Sequence, residues 1–151
     1  METKPLVTER IYDAPANRIW KAITDNNDMK HWYFDIEGFM PVVGFEFQFW
    51  GKVDDREFLH ICQVTEVVNG QKLSYTMTFN NFSDADYAPV KTEVCFELNP
   101  MGENQTRLKV THTGLENFPE NLKHFTGNDF IKGWGTLLDN SLKQYLKKAL
   151  V

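Results

Sequence analysis

The sequence predicts an α+β fold, with one antiparallel sheet covered on one face by a long carboxy-terminal helix. Three observations carry this prediction. Between Val43 and His112, apolar residues alternate with polar ones, which is the period of half-buried strands. These runs are separated by short turn signals, so neighbouring strands can pair antiparallel. From about Asn128 to Leu150 the period changes to 3.6, and the broad apolar stripe that results must be covered by the sheet.

The elements follow in order. Leu6 to Tyr12 reads as the first strand. Asp13-Ala14-Pro15 reads as a helix N-cap followed by a proline in the first turn, where its missing N–H is harmless. Ile19, Trp20 and Ile23 then recur at helical spacing, and this short helix ends near Thr24-Asp25. Asn27 or Asp28 is the expected cap of a second short helix carrying Met29, Trp32 and Tyr33. Next, Val43, Phe45, Phe47 and Phe49 alternate with Gly44, Glu46, Gln48 and Trp50. Phe58 to Val67 forms a strand closed by Asn69-Gly70, a hairpin turn signal. Leu73, Tyr75, Met77 and Phe79 form one face of the following strand. Asn80 to Pro89 is a polar loop, with Asp84 and Asp86 too few in oxygen ligands for calcium. Such a loop is suited to gating a pocket.

Two more strands complete the sheet. Thr92, Val94, Phe96 and Leu98 face one way, and Pro100-Met101-Gly102 turns the chain. Thr106, Leu108, Val110 and His112 then face inward, opposite Arg107, Lys109, Thr111 and Thr113. On the terminal helix, Phe130, Ile131, Trp134, Leu137, Leu138, Leu142, Tyr145 and Leu146 form the stripe. Lys132, Thr136, Asp139, Lys143 and Lys147 lie opposite.

The 151 residues suit a single domain, read as 1–151. They are 42% hydrophobic and 14% aromatic, enough to bury a core and too apolar for disorder. The net charge is −5, and the basic residues are scattered except for Lys143, Lys147 and Lys148, which complement a helix dipole. Nucleic-acid binding is therefore not expected. No run reaches the roughly 20 apolar residues of a membrane span, and the polar start is unlike a signal peptide. Cys62 and Cys95 lack metal or disulfide spacing, and His31, His60 and His124 do not form a metal pattern. The expectation is a reduced, cytoplasmic protein without metal or cofactor. No nucleophile, phosphate-loop or paired-carboxylate motif is present.

Three local signatures give a resemblance. Glu9-Arg10-Ile11-Tyr12-Asp13-Ala14-Pro15, Ile19-Trp20-Lys21-Ala22-Ile23-Thr24-Asp25 and the later Trp32 resemble the opening of the AHSA family. This family belongs to the SRPBCC superfamily and is named for an activator of a heat-shock chaperone ATPase. Thr111-His112-Thr113-Gly114 is similar to its last-strand motif, and Gly133-Trp134 with Leu137 and Leu138 to its terminal-helix motif. Ser141 departs from the pattern, which usually has an apolar residue three positions after Leu138. The resemblance implies the helix-grip fold (START-like, Bet v-like), in which a curved sheet wraps the terminal helix around an apolar cavity.

That cavity would hold a small hydrophobic or aromatic molecule. The expected ligand-facing residues are Phe47, Phe49, Tyr75, Met77 and Phe96 on the sheet, with Trp32 and His112. The helices would add Phe130, Trp134 and Leu138, and Tyr75, His112 and Ser141 would supply polar groups to fix orientation. His112 is the one candidate acid/base residue, since an inward imidazole must find partners or lose its charge. The first expectation is therefore a non-enzymatic binder. A cyclase-like or hydrolytic enzyme using His112 comes second. A chaperone-interaction module comes third, because the activator that named the family has a further amino-terminal domain not expected in a chain that begins at its first strand. A homodimer is also expected, from open sheet edges and Trp50.

Overall fold

A computed structural model describes residues 5–34, 36, 38–53, 56–80, 89–118 and 127–149. The alternating segments form six strands. These are β1 (Leu6–Tyr12), β2 (Glu46–Val53), β3 (Arg56–Val68), β4 (Lys72–Asn80), β5 (Val90–Pro100) and β6 (Thr106–Thr113). They make one curved antiparallel sheet in the order β1-β6-β5-β4-β3-β2. Consecutive strands pair from β2 to β6, and β1 crosses over to pair with β6. A register shift between Val64 and Glu66 on β3 adds a bulge, a device that bends a strand. The parity read from the sequence holds on β5 and β6, where Thr92, Val94, Phe96, Leu98, Thr106, Leu108, Val110 and His112 are all buried.

Between β1 and β2 stand α1 (Ala16–Thr24) and α2 (Asn26–Trp32). Their caps differ from expectation. Pro15 occupies the N-cap of α1 with extended backbone, and its carbonyl accepts from the Arg18 N–H at 3.0 Å. Asp13 lies two residues before the cap position and instead accepts a hydrogen bond from Gln105. Neither Asn27 nor Asp28 caps α2. Because α2 begins almost where α1 ends, Asp25 serves both, closing α1 and accepting from the N–H groups of Asn27 (2.8 Å) and Asp28 (3.3 Å). Val43, expected on the buried face of β2, is 62% exposed. It precedes the strand, and Gly44 at φ 93° turns the chain before Glu46, a conformation open to glycine without a Cβ penalty.

The carboxy-terminal rod consists of α3 (Gly127–Gly135), a π-wound segment (Thr136–Leu142) and α4 (Lys143–Ala149). Gly135 and Lys143, at the two junctions, keep right-handed helical backbone, so the rod is continuous. Trp134, Leu138, Leu142 and Leu146 are its buried residues among those whose side chains are described, spaced four apart. In an α-helix such a row drifts around the axis by about 40° per step. Winding more residues per turn cancels that drift, which keeps all four side chains over the sheet. Ile131 does not belong to the stripe and is 57% exposed. Tyr12 ties β1 to the rod, its hydroxyl donating to the Leu138 carbonyl at 2.7 Å. Among the described residues no helix is long and apolar enough to cross a membrane.

Candidate functional site

The inner face of the sheet and the rod bring the sequence-predicted residues together. Trp32, Phe47, Phe49, Tyr75, Met77, Phe96, His112, Trp134 and Leu138 are buried, and Phe130 packs half-buried beside them. Ring contacts connect much of the set. Phe47 meets Tyr75 edge-on at 5.2 Å, Tyr75 meets Phe96 at 6.0 Å, and Phe96 meets Trp134 at 5.8 Å. Among the described residues these rings close on one another. Trp32 has its indole N–H committed to the Ala22 carbonyl at 2.7 Å, which pins α2 to α1.

Two polar groupings lie within this aromatic interior. The first is a pair of phenols, with the hydroxyls of Tyr33 and Tyr75 2.7 Å apart. Burial pushes both pKa values well up, so both stay protonated at neutral pH. Two O–H groups share one hydrogen bond, which leaves one phenolic proton without an acceptor among the described residues.

The second is a relay through His112. Indole N–H groups only donate, so Trp134 Nε1 donates to His112 Nδ1 at 3.1 Å. The neutral ring then carries its proton on Nε2 and donates to Thr92 Oγ1 at 2.8 Å. Thr92 in turn donates to the Met77 carbonyl at 2.9 Å. Burial, and secondarily His60, holds the imidazole pKa at about 3, down from 6.5. Both ring nitrogens are occupied and the residue is 1% exposed, so no lone pair is free to take a substrate proton. The geometry gives His112 a positioning role at Trp134 rather than that of a general base.

Ser141 does not face the sheet. It lines an open groove with His31, Gln144, Tyr145 and Lys148 on the outer side of the rod, because Leu142, one position later, takes the inward place. His60 is buried, with its ring stacked on Phe49 at 4.6 Å. Gly51 makes this possible, since a Cβ there would lie 2.5 Å from His60 Cε1. The loop carrying Asp84 and Asp86 (residues 81–88) and His124 lie outside the described residues.

The sequence pattern placed Thr92 inward and Tyr33 on α2, but not their hydrogen-bonding partners. Phe34 was missed altogether. It follows α2 in a segment without periodicity, yet its ring stacks on Phe49 at 4.2 Å with a 21° tilt.

A curved antiparallel sheet gripping one terminal helix, with two short helices after the first strand, defines the helix-grip class of SRPBCC proteins. Residues 13–147 match the family described as activator of Hsp90 ATPase homolog 1-like protein, and the chain belongs to that family. Similar solved structures include protein MLL2253 from Mesorhizobium loti, 25% identical, with a TM-score of 0.75 over 96% of this chain and 98% of that one. CalU16 from Micromonospora echinospora is 18% identical, with a TM-score of 0.66 over 97% and 84%. The Aha1 dimer from Colwellia psychrerythraea is 23% identical, with a TM-score of 0.64 over 93% of each chain. No curated protein matches the sequence.

Proposed function

We propose that this cytoplasmic chain binds a small hydrophobic or aromatic molecule between the sheet and the terminal rod, without performing chemistry on it. The observation that supports this reading is the Tyr33–Tyr75 pair, with its surplus proton, surrounded by aromatic rings. A core needed only for stability gains nothing from a phenolic proton at its centre, since burying a polar hydrogen without an acceptor costs free energy. A binding site does gain from it: apolar walls supply affinity, roughly 0.8 kcal/mol per buried methylene, and one donor fixes orientation. The committed nitrogens of His112 count against an enzymatic reading.

The test is a thermal-shift screen against lipids and neutral aromatic metabolites. A ligand of the native state raises the melting temperature, and Trp134→Ala should weaken any hit and reduce its effect on indole fluorescence. A panel that leaves the melting temperature unmoved, with native mass spectra of host-purified protein showing only the bare chain, would rule the reading out.

The family's name favours a second reading, contact with an Hsp90-type chaperone. That contact would use the outer surface, so substitutions in the interior would leave stimulation of the chaperone ATPase unchanged. We also propose a homodimer. The Colwellia relative is a dimer, and among the described residues β2 is an edge strand of the sheet, carrying Trp50, which is 54% exposed.

A further inference from the structure

We propose that the Phe34 ring is an internal stand-in for part of the ligand, and that the niche it fills receives a flat, neutral aromatic ring bearing a carbonyl or ether oxygen. This rests on the ligand-binding reading above and names the class of molecule.

Two walls of the niche stand on paired strands, the third, Tyr33, is the C-cap that follows α2, and the occupant is the next residue along. Phe49 and His60 are register partners on β2 and β3, stacked at 4.6 Å with a 12° tilt. Tyr33, at the end of α2, is hydrogen-bonded to Tyr75 on β4. Phe34 meets Phe49 face to face at 4.2 Å, Tyr33 edge-on at 4.7 Å, and lies 6.1 Å from His60. Its own residue lies past the helix end and is only half-buried. Strand pairing fixes Phe49 and His60, and the hydrogen bond to Tyr75 holds Tyr33, whereas the occupant is held by ring contacts worth about 1 kcal/mol each. A change in the Phe34 side-chain torsion would empty the niche while leaving its walls in place.

The chemistry of the guest follows from the walls. An offset stack on Phe49 selects a planar aromatic ring. The surplus proton of the Tyr33–Tyr75 pair selects an acceptor oxygen on that ring's edge, because Tyr33 borders both the niche and the pair. Neutrality follows from the cost of burying an unpaired charge among aromatic rings.

In wild-type protein the guest competes with Phe34, so its apparent affinity is reduced by the fraction of time the niche is empty. The test uses prodan, a fluorescent naphthyl ketone, alongside naphthalene, which lacks the carbonyl. Phe34→Ala should bind prodan about tenfold tighter than wild type, with a blue-shifted emission. Phe34→Leu, which keeps apolar bulk if the alanine variant folds poorly, should fall between the two. Adding Tyr33→Phe and Tyr75→Phe to Phe34→Ala should weaken prodan about tenfold and leave naphthalene unchanged. Equal prodan affinity in wild type and both Phe34 variants would overturn the stand-in while leaving ligand binding intact. If no folded variant bound either probe, both the stand-in and the binding reading would fall.

Discussion

At His112 the sheet buries an imidazole that is satisfied only as a neutral ring. Its inward position was legible in the sequence, because it continues the parity of Thr106, Leu108 and Val110. Its partners were not, since Thr92 and Trp134 lie 20 and 22 residues away and only the fold brings them together. Burial holds the folded ring's pKa at about 3, against an ordinary imidazole value of 6.5. A group that resists protonation when folded contributes stability fully above the unfolded pKa, and loses it as the pH falls from 6.5 towards 3, where the unfolded chain binds the proton first. Going from pH 7 to pH 5 should therefore cost roughly 2 kcal/mol through this residue. His112→Gln, compared with wild type by urea unfolding at both pH values, should lack that increment. A wild-type-to-variant gap that stays constant with pH would show that the ring is not buried in its neutral form. His112→Ala should cost about 3 kcal/mol at pH 7, because it opens a hole and removes the acceptor of the Trp134 N–H.

At the scale of elements, the strands were the legible part. Parity alone placed the buried faces of β4, β5 and β6, because period-two alternation leaves few other ways to bury those residues. Helix boundaries were less legible, because a cap depends on where the preceding element stops. Asp25 caps α2 only because α1 ends one residue before it. The rod was legible as a helix but not in its winding. The buried row steps four residues from Leu138 to Leu142, and the half-buried Ser141 stands at the third position. One extra residue in the row is what a π-wound turn absorbs, and the segment Thr136–Leu142 spans that place. Deleting the exposed Asn140 should therefore restore the spacing of three and allow plain α winding. We expect a cooperative fold melting within about 4 °C of wild type, with far-UV circular dichroism no less helical. Deleting Leu142 should prevent folding. If the Asn140 deletion unfolded as well, the extra residue would not be what the π turn accommodates.

For the whole molecule, what matters is how the flank formed by α1 and α2, from which Tyr33 and Phe34 extend into the interior, is held against the rod. The link is a buried carboxylate. Asp28 on α2 is 7% exposed and accepts hydrogen bonds from the Tyr145 hydroxyl on α4 and, at 3.4 Å, from Arg18 on α1. Arg18 also lies 5.2 Å over the Tyr145 ring, and His31 stacks on that ring at 5.5 Å. The ion pair of Arg10 with Asp139, at 2.5 Å, joins β1 to the rod, but its side chains are 31% and 54% exposed. Distance alone would rank this second pair as the stronger. Burial reverses the order, because water screens the exposed pair to a worth of about 1 kcal/mol or less, whereas removing one member of a buried pair strands its partners and costs about 3 kcal/mol. Asp28→Ala should therefore lower stability roughly threefold more than Asp139→Ala in chemical denaturation, with unchanged cooperativity in both. High salt should erase the Asp139 effect and leave most of the Asp28 effect. Equal losses, or a larger loss at Asp139, would mean that the flank is held by apolar contacts and that the Asp28 cluster only decorates the joint.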